Sequence, residues 1–222
     1  PWMKIKLIHI GSSHQMGLTN QETQLAIAYR DLPNIDGLVV TGEQEQYEGC
    51  FDLLACHCVA NKIIKGFDIH QNFIRLIREF AIIVNRFKPD VVSVNTNWQL
   101  VIAGVVKLYA NKRFRLVYTI HGFRHNSRLK SWFARYLIGT ALYIFADAIN
   151  APTAYVKRKF SFLNQRIKII PLGEDEIFFK NSTCPDFTRP LNFIFAGAFR
   201  LGKNQEMLIY AFSEYLKLSK NI

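Results

Sequence analysis

Residues 167–212 read IKIIPLGEDEIFFKNSTCPDFTRPLNFIFAGAFRLGKNQEMLIYAF, and the order of elements in this stretch decides the fold. A short apolar run, Ile167–Ile170, enters Pro171 and Gly173 and is followed by the acidic cluster Glu174–Glu176. A second apolar run, Leu191–Ala196, meets a glycine turn carrying Arg200 and Lys203. Leu208, Ala211, Phe212 and Tyr215 then recur at helical spacing. One strand–helix unit closes here and another opens. The new one places glycine and cations at a strand's carboxyl end, where open α/β sheets hold ligands. The sequence ends at Ile222, so the expectation is a complete first domain followed by the truncated opening of a second.

Towards the N-terminus the same alternation repeats. Strands are predicted at Lys4–Ile10, Gly37–Thr41, Leu53–Val59, Asp90–Asn95, Phe114–Ile120, Ala148–Asn150 and Arg166–Ile170. Helices are predicted at Thr19–Arg30, Asp68–Phe87, Trp98–Tyr109, Leu129–Phe145, Thr153–Phe162 and Asn204–Leu218. In the second of these, Ile69, Phe73, Ile77, Phe80, Val84 and Phe87 trace one helical face. Near-continuous apolar strands such as VVSV and LVYTI suit a parallel sheet covered on both faces. The fold class is therefore α/β, a doubly wound parallel-sheet Rossmann-like domain over residues 3–170, with a polar, proline-bearing linker at 171–190 and the start of a second such domain at 191–222.

Half of the 222 residues are hydrophobic and 20% are charged, which fits a packed core rather than disorder. No secretory signal is visible, and the apolar run Tyr136–Ala146 is too short to span a bilayer, so a cytoplasmic location is expected. The net charge of +11 is uneven: residues 1–99 carry 9 Lys and Arg against 10 Asp and Glu, residues 100–222 carry 19 against 7. Between Lys107 and Lys168 the only acid is Asp147. Such a field attracts phosphate, nucleic acid or an anionic membrane.

Several segments could carry chemistry. After the first strand, Gly11 and Gly17 bracket a polar loop ahead of Thr19, a candidate N-cap with Glu22 three residues on. Such a loop suits a phosphate or a sugar at a helix N-terminus, or is a plain connection, and its spacing is not GxGxxG. His121, released by Gly122 at the end of the strand Arg115–Ile120, sits at the ligand edge of the sheet or caps a turn. Asn95, Thr96 and Asn97 end the neighbouring strand with groups able to bind hydroxyls. Cys56, His57 and Cys58 suggest zinc, but on a strand His57 faces away from the two cysteines and no second pair at metal spacing follows, so no metal is expected.

Taken together these pieces resemble the retaining glycosyltransferases of GT-B fold, family 4 type. The resemblance rests on HIGSSHQMGLTNQETQLA, KPDVVSVNTN, VYTIHGF, ADAINAPTAYVKRKF, IIPLGEDEIFF and GAFRLGKNQEMLIYAF, which follow in family order along nearly the whole chain. It implies a fragment of a transferase, inactive by itself, that passes a sugar from a nucleotide-sugar donor to a lipid-linked or glycan acceptor with retention, in polysaccharide or lipopolysaccharide biosynthesis. By position it assigns His121 to the donor sugar and the transition state, Gly17 to the loop near the donor phosphates, and Lys203 to the diphosphate. The family's arginine directly follows the glycine, where Ala198 stands here; Arg200, two residues on, is the substitute candidate. No Asp-x-Asp occurs, consistent with metal-free transfer and no cofactor. Cations on a glycine turn can stabilise the departing diphosphate instead.

Arg124, Arg128, Lys130 and Arg135 interleave with Trp132, Phe133 and Tyr136, a pattern that suits peripheral attachment to an anionic membrane at its inner face or a core helix with a solvated basic end. A basic nucleic-acid-binding α/β protein is a rival reading, but no recognition-module signature is present and no nucleic-acid partner is expected. A non-catalytic scaffold derived from a transferase is a second rival. The apolar faces of Leu191–Ala196 and the last helix need cover, which points to docking on the first domain or self-association.

Overall fold

The computed structural model describes residues 4–11, 24–42, 54, 56, 58–65, 72–121, 128–171 and 205–219. They fall into two units divided between Gly173 and Glu174.

The first unit is built on a seven-stranded sheet: β1 Ile5–Ile10, β2 Ile35–Gly42, β3 Asn61–Ile64, β4 Val91–Val94, β5 Arg115–Thr119, β6 Ala148–Ala151 and β7 Ile167–Ile169. Its order is β3-β2-β1-β4-β5-β6-β7, and every neighbouring pair is parallel. Strands added after β1 extend one side and those from β4 onward extend the other, so the order reverses between β1 and β4. That reversal is the point at which doubly wound sheets open a crevice for ligands. The helices are α1 at 24–30, α2 Phe73–Phe87, α3 Asn97–Tyr109, α4 Arg128–Phe145 and α5 Ala154–Arg158, with a 3₁₀ turn at Ser161–Arg166.

Strand alternation sorts the side chains into two layers. Ile8, Ile10, Val40, Val92, Val94, Leu116 and Tyr118 pack with Leu76, Phe80 and Val84 of α2, Leu100, Ile102, Ala103 and Val106 of α3, and Leu142 of α4 in one main core. On the opposite face Val39 joins Ala26, Leu54 and Val59 in a much smaller cluster. Helices α3 and α4 meet closely because position 104 is glycine, and the ring of Phe145 lies against the place a Cβ would take.

The polar edge opposite the crevice is held by two carboxylates. Asp90 accepts from the Lys6 amide at 2.8 Å and pairs with Lys112 at 2.6 Å. The hydrogen bond from Lys112, then that from Lys6, hold this carboxyl below the usual range. Asp147 accepts from the Leu116 amide at 2.6 Å and pairs with Lys107 at 2.5 Å, which explains why one acid persists in a basic stretch. Part of that basic surplus is structural. Arg166 donates to the carbonyls of Tyr143 and Ala146 at the end of α4, where a helix leaves carbonyls unpaired.

One predicted strand is corrected. Among the described residues of the segment Leu53–Val59, Leu54 and Cys56 are helical, and the strand follows at Asn61–Ile64. Cys58 adopts φ 53 and the Val59 amide bonds back to the Leu54 carbonyl at 2.9 Å, the closure of a helix by a left-handed residue. Cys56 and Cys58 are both exposed free thiols, one helical and one in a turn, so they do not share a strand face. The helix predicted over Thr153–Phe162 is shorter, because the chain passes from α5 into a 3₁₀ turn. Helix α2 begins at Phe73 after Asn72 in left-handed backbone, and residues 66–71 lie outside the described part.

In the second unit the described element is α6, Gln205–Ser219. Its Lys217 and Glu214 pair at 2.7 Å, and Phe212 and Tyr215 stack with ring centroids 6.3 Å apart. Leu208, Phe212 and Tyr215 are each more than 40% exposed. Leu191–Ala196 and the linker from 172 onward are outside the described residues.

Candidate active site

The crevice between β1 and β4 is organised by one glutamine. Thr96 caps α3 by accepting from the Gln99 amide at 3.3 Å, and the Gln99 side-chain oxygen accepts in return from the amides of Thr96 and Asn95 at 3.1 and 2.9 Å. The same side chain donates to the Gly11 carbonyl at 3.1 Å, tying the end of β1 to the start of α3. Gln99 is 1% exposed and all three of its polar contacts are to backbone. These bonds fix the backbone at Asn95.

Asn95 in turn orients His121. Its Nδ2 donates to the Ile10 carbonyl at 3.4 Å, so its Oδ1 is left to accept, and His121 Nε2 lies 3.3 Å from it. A carbonyl cannot donate, so this order fixes the amide and gives His121 the Nε2–H tautomer with Nδ1 as acceptor. Burial lowers the His121 pKa, which favours the neutral ring.

A second histidine stands on the same face. His9 of β1 is in register with Ser93 of β4, and Ser93 with Val117 of β5. Thr119 is in register with Asn150 of β6. Alternation therefore lines up His9, Ser93, Asn95, Thr119, His121 and Asn150 on one side of the sheet. They line a pocket of about 330 Å³ whose apolar walls include Leu7, Val91, Val117 and the Tyr29 side chain. His9 is 2% exposed, and its pKa is lowered to about 4, first by burial and then by the nearby His121. Its ring meets Tyr29 edge-on at 6.2 Å, and neither ring nitrogen has a hydrogen-bond partner among the described residues.

Of the residues singled out in the sequence, the structure brings Asn95 and His121 together at this pocket. Thr96 is engaged in the capping box, and Asn97 accepts from the Tyr118 hydroxyl at 2.6 Å on the opposite side of the sheet. Gly17, Arg124, Arg200 and Lys203 lie outside the described residues. Arg128, Lys130, Trp132 and Arg135 fall within α4, but their side chains are outside the described part. Further along α4, Tyr136, Leu137, Tyr143 and Ile144 are exposed. Among the described residues no helix is long and apolar enough to cross a membrane.

His9, Ser93, Thr119 and Asn150 were missed as site residues. The signal was present: each is a polar residue within a mostly apolar strand. Strand parity alone does not show that four separate strands aim these residues into one pocket; the register does.

The model of the family described as Glycosyltransferase Family 4 matches residues 38–176. Among curated proteins nothing matches. Among solved structures, HepE from Anabaena in complex with UDP and glucose aligns over 80% of this chain and 47% of its own, at 17% identity and TM-score 0.60. A putative UDP-N-acetylglucosamine 2-epimerase from Listeria monocytogenes aligns over 74% and 44%, at 20% identity and TM-score 0.53. The lipopolysaccharide outer core galactosyltransferase WaaB aligns over 76% and 45%, at 13% identity and TM-score 0.55. The chain thus spans about half the length of the structures it resembles, and at these identities they speak to the fold alone.

Proposed function

The chain belongs to glycosyltransferase family 4, and on that premise we propose that it supplies the acceptor-side half of a retaining sugar transferase. The observation that carries the reading is the Asn95–His121 pair at the carboxyl edge of β4 and β5, beside the switch point, within a family match that extends past it. The donor is a nucleotide sugar, a reading supported by the UDP and glucose bound in HepE. The acceptor is a lipid-linked or glycan hydroxyl, in line with the lipopolysaccharide galactosyltransferase among the structural neighbours.

In this reading His121 contacts the sugar undergoing transfer and is held for that task by Asn95, whose own geometry is set by the β1 carbonyl and Gln99. A neutral imidazole with its Nδ1 lone pair can accept a hydrogen bond from a hydroxyl near the reacting carbon without adding charge. Gly17 brings backbone close to the donor phosphates, and Arg200 and Lys203 offset the charge that develops on the diphosphate, so transfer proceeds without a metal. The exposed aromatic and aliphatic face of α4, together with Arg124, Arg128, Lys130, Trp132 and Arg135, attaches the protein to an anionic membrane where lipid-linked acceptors reside.

The test is the product. A protein joining this chain to a complete second domain, supplied with UDP-sugars and a glycan or lipid-linked acceptor, is expected to form a glycosidic bond with the donor's anomeric configuration kept. Free epimerised sugar without a glycosidic product would instead place it with the epimerases that share the fold.

A further inference from the structure

We infer that Gln99 is a positioning residue, fixing the ring tautomer of His121 by tying the end of β1 to the start of α3; this deepens the transferase reading, on which its effect on turnover rests. Strands that part leave backbone groups to be paired by other means. The β1–β4 ladder ends at His9 and Ser93, whereas β1 stays beside β2 through Ile10, and the Gly11 amide still donates to the Val40 carbonyl at 2.9 Å. On the β4 side two carboxamides take over from the ladder. Asn95 Nδ2 donates to the Ile10 carbonyl at 3.4 Å, and Gln99 Nε2 donates to the Gly11 carbonyl at 3.1 Å. The crevice thus opens at the switch point without stranding these two carbonyls.

Gln99 does opposite things with its two ends. Its oxygen accepts from the Asn95 and Thr96 amides while its nitrogen donates to Gly11, and the side chain is buried. A carboxamide does both at once, whereas a carboxylate only accepts. Capping α3 does not require the donor, because a capping box takes glutamate or glutamine at this position. The donor's task lies across the crevice. It holds Gly11, and with it the adjoining Ile10 carbonyl that engages the Asn95 amide nitrogen. Held in that way, Asn95 offers its oxygen to His121 Nε2 at 3.3 Å and selects the Nε2–H ring. Once the Ile10–Gly11 turn is released, the Asn95 amide is free to turn over. Its nitrogen then faces the ring and favours the Nδ1–H tautomer.

The test separates that task from the cap. In Gln99→Glu the capping box is kept, and at pH 8 two amide donors and the helix N-terminus hold the introduced carboxylate ionised, so that it cannot donate to Gly11. In Thr96→Ala the cap hydroxyl is lost, but the Gln99 side chain keeps its three contacts. With the histidine ring nitrogens of the 222-residue chain labelled for NMR at pH 8, wild-type His121 is expected in one form, protonated at Nε2. Gln99→Glu should lose that single form and show both tautomers, with its unfolding midpoint little changed. Thr96→Ala should lower the midpoint and keep the Nε2–H ring. With a complete second domain joined to the chain, Gln99→Glu should lower kcat by roughly tenfold or more and leave KM nearly unchanged. The inference is overturned if wild-type His121 is protonated at Nδ1, if Gln99→Glu keeps the wild-type tautomer or fails to fold, if Thr96→Ala scrambles the ring as well, or if Gln99→Glu leaves kcat unchanged in an active enzyme. Tautomers that behave as expected in a chain whose joined form transfers no sugar would leave the positioning role standing and remove the transferase reading.

Discussion

A buried histidine with no hydrogen-bond partner among the described residues makes stability depend on pH in a calculable direction. His9 titrates near 6.5 when unfolded and is lowered to about 4 in the fold. Between those values the unfolded chain binds the proton and the folded one does not, so its stabilising contribution is fully present above about pH 6.5 and is lost as pH falls towards 4. Each pKa unit corresponds to about 1.4 kcal/mol, so the loss amounts to a few kcal/mol at most. Urea unfolding at pH 7, 5.5 and 4.5 should show this slope in the wild type and a shallower one in His9→Phe, with a residual of the same sign from His121. An unchanged slope would mean that His9 is protonated or paired in the fold. His121 could be read from the sequence because a glycine follows it at a strand's end, a local signal. His9 could not, because a lone histidine in IKLIHI reads as core until β4 and β5 are laid beside it, and register is a long-range property.

At the scale of elements, the contact between α3 and α4 turns on Gly104. Alanine is the better helix former by about 1 kcal/mol. At this site, however, its Cβ would run into the Phe145 ring, which is anchored in the packing between the two helices. Overpacking of this kind costs roughly 1–3 kcal/mol, so Gly104→Ala is expected to be net destabilising in denaturant unfolding. Trimming the ring as well, in Gly104→Ala/Phe145→Leu, should recover part of the loss. A stabilised single variant would contradict the close approach. Most elements were legible because their periodicity is strong: α2, α3 and β4 lie within a few residues of expectation. The exception is instructive. Leu54 to Val59 has the apolar content of a strand, but a left-handed Cys58 closes a helix there, and nothing in the residue type announces that conformation.

At the scale of the whole molecule, the proposed membrane attachment turns on α4. Helix α4 exposes Tyr136, Leu137, Tyr143 and Ile144 next to a basic sequence. Sedimentation with vesicles should show binding to anionic lipid that fades between about 0.05 and 0.5 M salt, since exposed charges are screened beyond roughly 10 Å at 0.1 M. Equal binding to neutral vesicles, or none to either, would contradict a membrane role for this face. The doubly wound sheet was readable from alternation alone, whereas the division of labour among Asn95, Thr96 and Asn97 needed the fold: three adjacent polar residues point to a pocket, a helix cap and the opposite side of the sheet. That division permits a direct test of the site. In a protein that carries this chain with its complete second domain, turnover is compared for His121→Ala and Asn97→Ala. His121→Ala is expected to lower transfer by roughly 10²–10³-fold with its unfolding midpoint little changed, while folded Asn97→Ala keeps turnover near wild type. Wild-type turnover in His121→Ala would contradict the role of His121 in transfer.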